Sequence, residues 1–116
     1  IYNKNFDNLD SLTIPYTRKY QSHAYHLYPL LIDFMKYDIN KKLLFYKMKE
    51  NGINLQVHYI PIHFQPYYQK NYNFSKGDFP NAEDFYYQEV SLPIFPSLEV
   101  ATQEKVINSL KDILSL

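Results

Sequence analysis

The chain has 116 residues, 46% of them hydrophobic, with twelve basic and twelve acidic side chains that cancel. That size suits one domain with a real core, the hydrophobic content excludes a disordered chain, and the charge balance leaves no electrostatic footprint for nucleic acid or an anionic membrane. Cysteine is absent, which removes disulfides, iron–sulfur clusters and thiolate metal sites, and no apolar run approaches the ~20 residues that span a bilayer.

The chain opens IYNKNFDNLDSL, without an initiator methionine and already inside a helical pattern, since Tyr2, Phe6, Leu9 and Leu12 recur at helix spacing. Nothing before them can cap a first turn. The stretch therefore reads as a piece cut from a longer protein, with a helix running to Pro15 and forming the least protected part of the fold. No signal-peptide pattern is present, so a cytoplasmic location is the expectation. SHAYHLYPLLIDF, residues 22–34, is rich in aromatic and branched side chains and predicts a strand. Asn40 is a good N-cap for a helix over 41–51, with Leu44, Phe45 and Met48 as its apolar face and Gly52 as its left-handed stop. INLQVHYI, residues 53–60, alternates Ile53, Leu55, Val57 and Tyr59 with Asn54, Gln56, His58 and Ile60. That is the pattern of a half-buried strand, which Pro61 would end.

Residues 64–72 predict a short aromatic helix, NFSKGDFP a loop, Asn81 to Glu89 another helix, and SLPIFPS an extended segment bounded by Pro93 and Pro96. The last helix, from about Glu99 to Leu116, carries Val106, Ile107, Leu110, Ile113 and Leu114 on one stripe. This order gives an α+β fold, a short sheet covered by helices on one face.

The four histidines are His23, His26, His58 and His63. A zinc site needs three or four converging ligands. His23 and His26, three apart in a strand, point to opposite faces, and Pro61 separates the other two, so no metal template is met. Ser22 beside His23 and Ser91 near Glu89 fit no nucleophile pattern, and two glycines cannot build a phosphate-cradling loop. Glu83 and Asp84 are adjacent on a helix and read as a solvated face. The 13 tyrosines read as packing and interface material ahead of a stacking platform for bases or sugars. His58, beside Asn54 and Gln56 on the polar face of its strand, is not core filler. On the residues alone it reads as a surface histidine without a role, or as a positioned group.

Five blocks in order, SHAYHLYPLLID, KENGI, VHYIPIHFQPYY, KGDFPNAEDFY and VSLPIFPSL, resemble the C-terminal small domain of the DegT/DnrJ/EryC1/StrS sugar aminotransferases, which use pyridoxal phosphate (PLP). QVHYIPIH and GDFPNAE carry a narrower likeness to the pseudaminic acid branch, and related enzymes of surface-polysaccharide and spore-coat synthesis share most of the blocks. The resemblance covers nearly the whole chain. It implies a fold type I aminotransferase, a homodimer with active sites at the subunit interface, in which residues 1–15 are the remnant of an inter-domain helix and 16–116 the small domain. The family's Schiff-base lysine and PLP-binding residues precede this region, so the resemblance implies no catalytic and no cofactor-binding residue here, and the segment alone is expected to be inactive. It also implies that this domain lines the pocket for a UDP-linked 4-keto-6-deoxy sugar, with glutamate as the expected amino donor. His58 is carried over as a substrate-side residue, Tyr59 and His63 as wall residues, and His26 as a further candidate. Many members have an arginine where the helix after the first strand begins, and Asn40-Lys41-Lys42 stands there instead. A reading from another class is a non-catalytic carbohydrate- or protein-interaction module built on the tyrosine-rich surface.

Overall fold

The computed structural model, which describes residues 1–116, runs α1 (Tyr2–Phe6), β1 (Leu12–Thr13), β2 (Tyr28–Ile32), α2 (Lys41–Glu50), α3 (Pro66–Tyr72), α4 (Pro80–Gln88), β3 (Glu89–Leu92) and α5 (Val100–Leu114), with 3₁₀ turns at Phe34–Lys36 and Ile62–Phe64. The strands form one antiparallel sheet in the order β1-β2-β3. Helices with a small antiparallel sheet make this the expected α+β arrangement. No helix is long and apolar enough to cross a membrane.

α2 forms where its end signals place it. The Asn40 side chain accepts from the Leu43 N–H at 2.9 Å, satisfying one of the donors a first turn leaves open. At the other end Gly52 adopts φ +75°, and the N–H groups of Gly52 and Ile53 return to the carbonyls of Lys49 and Met48, each at 2.9 Å. This double closure needs a left-handed residue, which is why glycine stands there. It also turns Ile53 into the core that holds Leu44 and Met48.

That core joins Tyr2 and Phe6 of α1, Leu44 and Met48 of α2, and Val106, Ile107, Leu110 and Leu114 of α5 to the alternate residues Tyr28, Leu30 and Ile32 of β2 and Val90 and Leu92 of β3. Each such side chain, fully buried, contributes about 1.5–3 kcal/mol.

The first helix ends at Phe6, not at Pro15. Asp7, Asn8, Asp10 and Ser11 have short polar side chains that compete with helical hydrogen bonds, and Leu12 instead enters β1 opposite Ile32. Far from being loosely held, Tyr2 and Phe6 are buried, and the Tyr2 hydroxyl donates to the Pro93 carbonyl at 2.9 Å. The strand expected over 22–34 is confined to Tyr28–Ile32. Upstream of it Tyr25 takes φ +47°, a left-handed conformation incompatible with extended pairing.

The strand expected over 53–60 is reduced to a single bridge, Gln56 to Ser91 on the outer edge of β3. Its alternation survives at Ile53 and Leu55, which are buried. The pairing stops for two reasons. One step away, opposite residue 54, stands Pro93, which has no N–H to give. One step the other way, the His58 N–H is taken by the Glu89 side chain instead of the next ladder carbonyl.

Candidate functional site

β3 reads Glu-Val-Ser-Leu, and all four residues are buried. Val90 and Leu92 enter the core, so the period of two sends Glu89 and Ser91 to the opposite face. Gln56 bonds Ser91 through both backbone groups, at 3.2 and 2.8 Å, and this brings His58 over the same face. The Ser91 hydroxyl then stands between two groups. It lies 2.7 Å from His58 Nδ1 and bonds Glu89 Oε1, while the His58 backbone N–H donates to Glu89 Oε2 at 3.0 Å.

Glu89 is fully buried, at 0% exposure, and a buried carboxylate needs compensation. Besides its two hydrogen bonds it has Lys41. The Lys41 ammonium donates to the Tyr86 carbonyl at 2.6 Å and lies 4.9 Å from the centre of the Tyr86 ring. Burial pushes the Lys41 amine below its usual value, and the negative charge of Glu89 works against that drop. Lys41 therefore keeps a cation near the buried glutamate.

His58 and Ser91 open onto a cavity of about 410 Å³, with His26, Asn54, Gln56 and Thr102 as further polar wall and Ile53, Leu92, Ile94, Phe95 and Val106 among its apolar lining. His58 Nε2 makes no hydrogen bond within the chain and is not sealed from solvent, and the residue lines this cavity.

The four residues singled out from the sequence therefore separate. His26 and His58 share the cavity. Tyr59 projects outward, 72% exposed, with its ring edge-on to that of His58. His63 is 4% exposed and its Nε2 meets Glu83 Oε1 at 3.0 Å. Glu83 was expected on a solvated face, and this is corrected: it is buried, because α4 starts at Pro80 and its first turn faces the 3₁₀ turn that carries His63. Burial alone would raise the Glu83 carboxyl, but the Gly77 N–H at 2.7 Å, His63 and the Phe79 N–H together outweigh it and hold the group below the usual carboxylate range.

In the sequence, Ser91 near Glu89 fits no nucleophile pattern. The signal was present: two polar residues at i and i+2, alternating with Val90 and Leu92, must share one strand face. Nothing local signalled the pairing of residues as distant as His58 and Ser91.

No three His, Asp or Glu side chains converge as a metal site would require. PLP does not fit the residues present either. The cavity wall has no lysine to form an imine, no acidic group for the pyridine nitrogen and no cation for the phosphate, and Lys41 is committed to Tyr86 and Glu89.

Residues 1–111 match the model of the DegT/DnrJ/EryC1/StrS aminotransferase family. The spore coat polysaccharide biosynthesis protein SpsC of Bacillus subtilis is 35% identical over 113 residues, covering 97% of this chain and 29% of that protein. The UDP-4-amino-4,6-dideoxy-N-acetyl-beta-L-altrosamine transaminase of Helicobacter pylori is 37% identical over 84 residues, 72% of this chain and 22% of that one. Among solved structures, Helicobacter pylori PseC, an aminotransferase involved in the biosynthesis of pseudoaminic acid, superposes with a TM-score of 0.84 at 29% identity, over 98% of this chain and 30% of that one. The chain spans 30% or less of the length of the curated relatives it matches.

Proposed function

Because this chain belongs to the DegT/DnrJ/EryC1/StrS aminotransferase family, we propose that it is the C-terminal small domain of a PLP-dependent sugar aminotransferase. In this reading it walls the pocket in which a UDP-linked 4-keto-6-deoxy sugar receives an amino group from glutamate. The product would serve a surface glycan, pseudaminic acid-like or another polysaccharide. The observation that carries this reading is the cavity beside His58: a mixed wall of ring nitrogens, amides and hydroxyls over an apolar floor, the lining that suits a deoxysugar with both hydroxyl and hydrocarbon surface.

When bound, PLP supplies the electron sink for amino transfer. This chain's residues would not hold it. Their part is to bind and orient. His58 is fixed by Ser91 and Glu89 and offers one ring nitrogen to the sugar, His26 and the amides of Asn54 and Gln56 offer further polar contacts, and Phe95 and Ile94 cover the apolar side of the ring. Holding the ketone in one orientation removes an entropic part of the barrier. Tyr59 would meet the sugar or the facing domain from its outward position, and His63 would act by steadying the turn beyond Pro61.

The outer surface supports a partner for this domain. Its accessible area of 8292 Å² exceeds the about 6,700 Å² of a typical monomer of this mass. Large side chains such as Tyr20 and Met35 stand more than nine-tenths exposed. We assign this surface to the cofactor-bearing domain and to the second protomer of a homodimer. The exposed Tyr16, Tyr20 and Tyr59 also fit the other reading, a non-catalytic carbohydrate- or protein-interaction module.

One experiment separates the two. The intact protein, given PLP, glutamate and a UDP-4-keto-6-deoxy sugar, should yield the 4-amino sugar by mass spectrometry. Borohydride reduction should fix PLP to a single lysine outside residues 1–116. No amino sugar from any such substrate would favour the module, and a stoichiometric adduct on one of this segment's lysines would overturn the division of labour proposed here.

A further inference from the structure

We propose that Glu89 and Ser91 act as positioning residues that hold the His58 ring protonated on Nδ1, so that Nε2 faces the cavity as a hydrogen-bond acceptor for a sugar hydroxyl. The inference rests on the sugar-pocket reading for its last step alone. The earlier steps follow from hydrogen-bond arithmetic.

Glu89 is fully buried, accepts the His58 backbone N–H on Oε2, and lies within reach of the charge of Lys41. A backbone N–H and a nearby ammonium are donors that suit a group that only accepts. In its bond with Ser91 the serine hydroxyl is the donor and Glu89 Oε1 the acceptor. A hydroxyl has one proton, and this one is spent on Glu89, so the 2.7 Å contact between Ser91 Oγ and His58 Nδ1 requires the ring to donate. A neutral imidazole carries one N–H, and Nε2 is left with its lone pair.

The order of the three groups is not that of a serine nucleophile, in which the histidine stands between serine and acid. Here the serine stands in the middle and its proton points away from the histidine, so it relays orientation and attacks nothing. The consequence concerns ligand class. An acceptor at Nε2 takes a hydroxyl, which can donate, and gives neutral His58 no bond to a phosphate or a carbonyl oxygen, which cannot.

Substituting Glu89→Gln should invert the arrangement. The His58 backbone N–H still demands an oxygen at the Oε2 position, so the amide nitrogen falls at the Oε1 position and donates to Ser91. Ser91 must then turn its proton to His58 Nδ1, which moves the ring proton to Nε2.

Histidine-selective ¹⁵N labelling of the intact protein, with the His58 signals identified by their loss in His58→Asn, reads the tautomer directly. The expected result is a pyrrole-type Nδ1 and a pyridine-type Nε2 in the wild type, exchanged in Glu89→Gln. A wild-type ring protonated on Nε2, or a Glu89→Gln spectrum identical to wild type, overturns the proposal. If Glu89→Gln fails to fold, because Lys41 loses its counter-charge, Ser91→Ala carries the test. It removes the acceptor, and persistence of the Nδ1–H signature would be the contrary result. In turnover, Ser91→Ala should lower kcat/KM for the nucleotide sugar by about tenfold, the loss of one hydrogen bond. An Nδ1–H wild-type ring combined with unchanged sugar kinetics would overturn the hydroxyl-acceptor role and the pocket reading beneath it. The tautomer assignment would survive that result, so the two failures are distinguishable.

Discussion

His58 and His63 stand on either side of Pro61, and each is tied to a buried glutamate, yet the two ties differ in kind. His63 meets Glu83 directly, with both side chains almost closed to solvent. His58 reaches Glu89 through Ser91, keeps Nε2 free, and borders a cavity. A histidine whose polar contact is spent on an internal partner behind a closed surface is an element of structure. One held by a relay on one nitrogen and open on the other is preorganised to meet something else. The chain path explains the difference. Before Pro61 the backbone lies along the edge of β3, whereas after it a 3₁₀ turn carries His63 toward the first turn of α4.

The largest effect should come from emptying the core on which β3, Ile53 and Leu55 pack. Phe6→Ala empties a site with 0% exposure and should cost about 3–5 kcal/mol. Chemical denaturation would measure it, and both histidine environments should be lost in one transition. Loss of the His63 environment ahead of that of His58 would show that the two sites do not share a foundation.

His63→Ala comes next. It leaves the Glu83 carboxylate buried without its ring partner, so the melting temperature should fall, while turnover of the nucleotide sugar should fall less than in His58→Ala. A His63→Ala protein that melts like wild type but loses sugar turnover would place His63 in the pocket and erase the contrast.

A smaller effect follows with pH. The folded-state pKa of Glu83 lies below the ordinary glutamate value of 4.5. The unfolded chain therefore takes up this proton first as pH falls. The stabilisation from Glu83 is complete above about pH 4.5 and disappears as pH drops through the folded-state value. Thermal melts between neutral pH and pH 3 should show a loss that Glu83→Gln removes in part. An unchanged slope in the variant would mean that other carboxylates carry the acid sensitivity.

Much of this fold is written in local pattern. The Asn40 cap, the Gly52 stop and the stripe through Val106, Ile107, Leu110 and Leu114 each act within a few residues, and they set α2 and α5 where the sequence places them. The failures have long-range causes. INLQVHYI alternates as a strand should, but the edge it meets offers a proline at one step and a competing carboxylate at the next. Glu83 looks like a solvated acid beside Asp84 until His63, distant in sequence, is folded against it. The polar face of His58 was legible from the alternation. Its tether to Ser91 was not, because that contact depends on β3 packing beside a segment whose pairing no local rule fixes.

In the proposed function His58, alone of the two, serves the sugar, and stopped-flow measurement of the two half-reactions in the intact His58→Ala protein decides it. The step consuming the nucleotide sugar should slow by about 10²-fold, the lower end for a positioned acid–base group, while the step consuming glutamate changes little. Equal slowing of both steps, or a protein that no longer folds, would make His58 a structural histidine like His63.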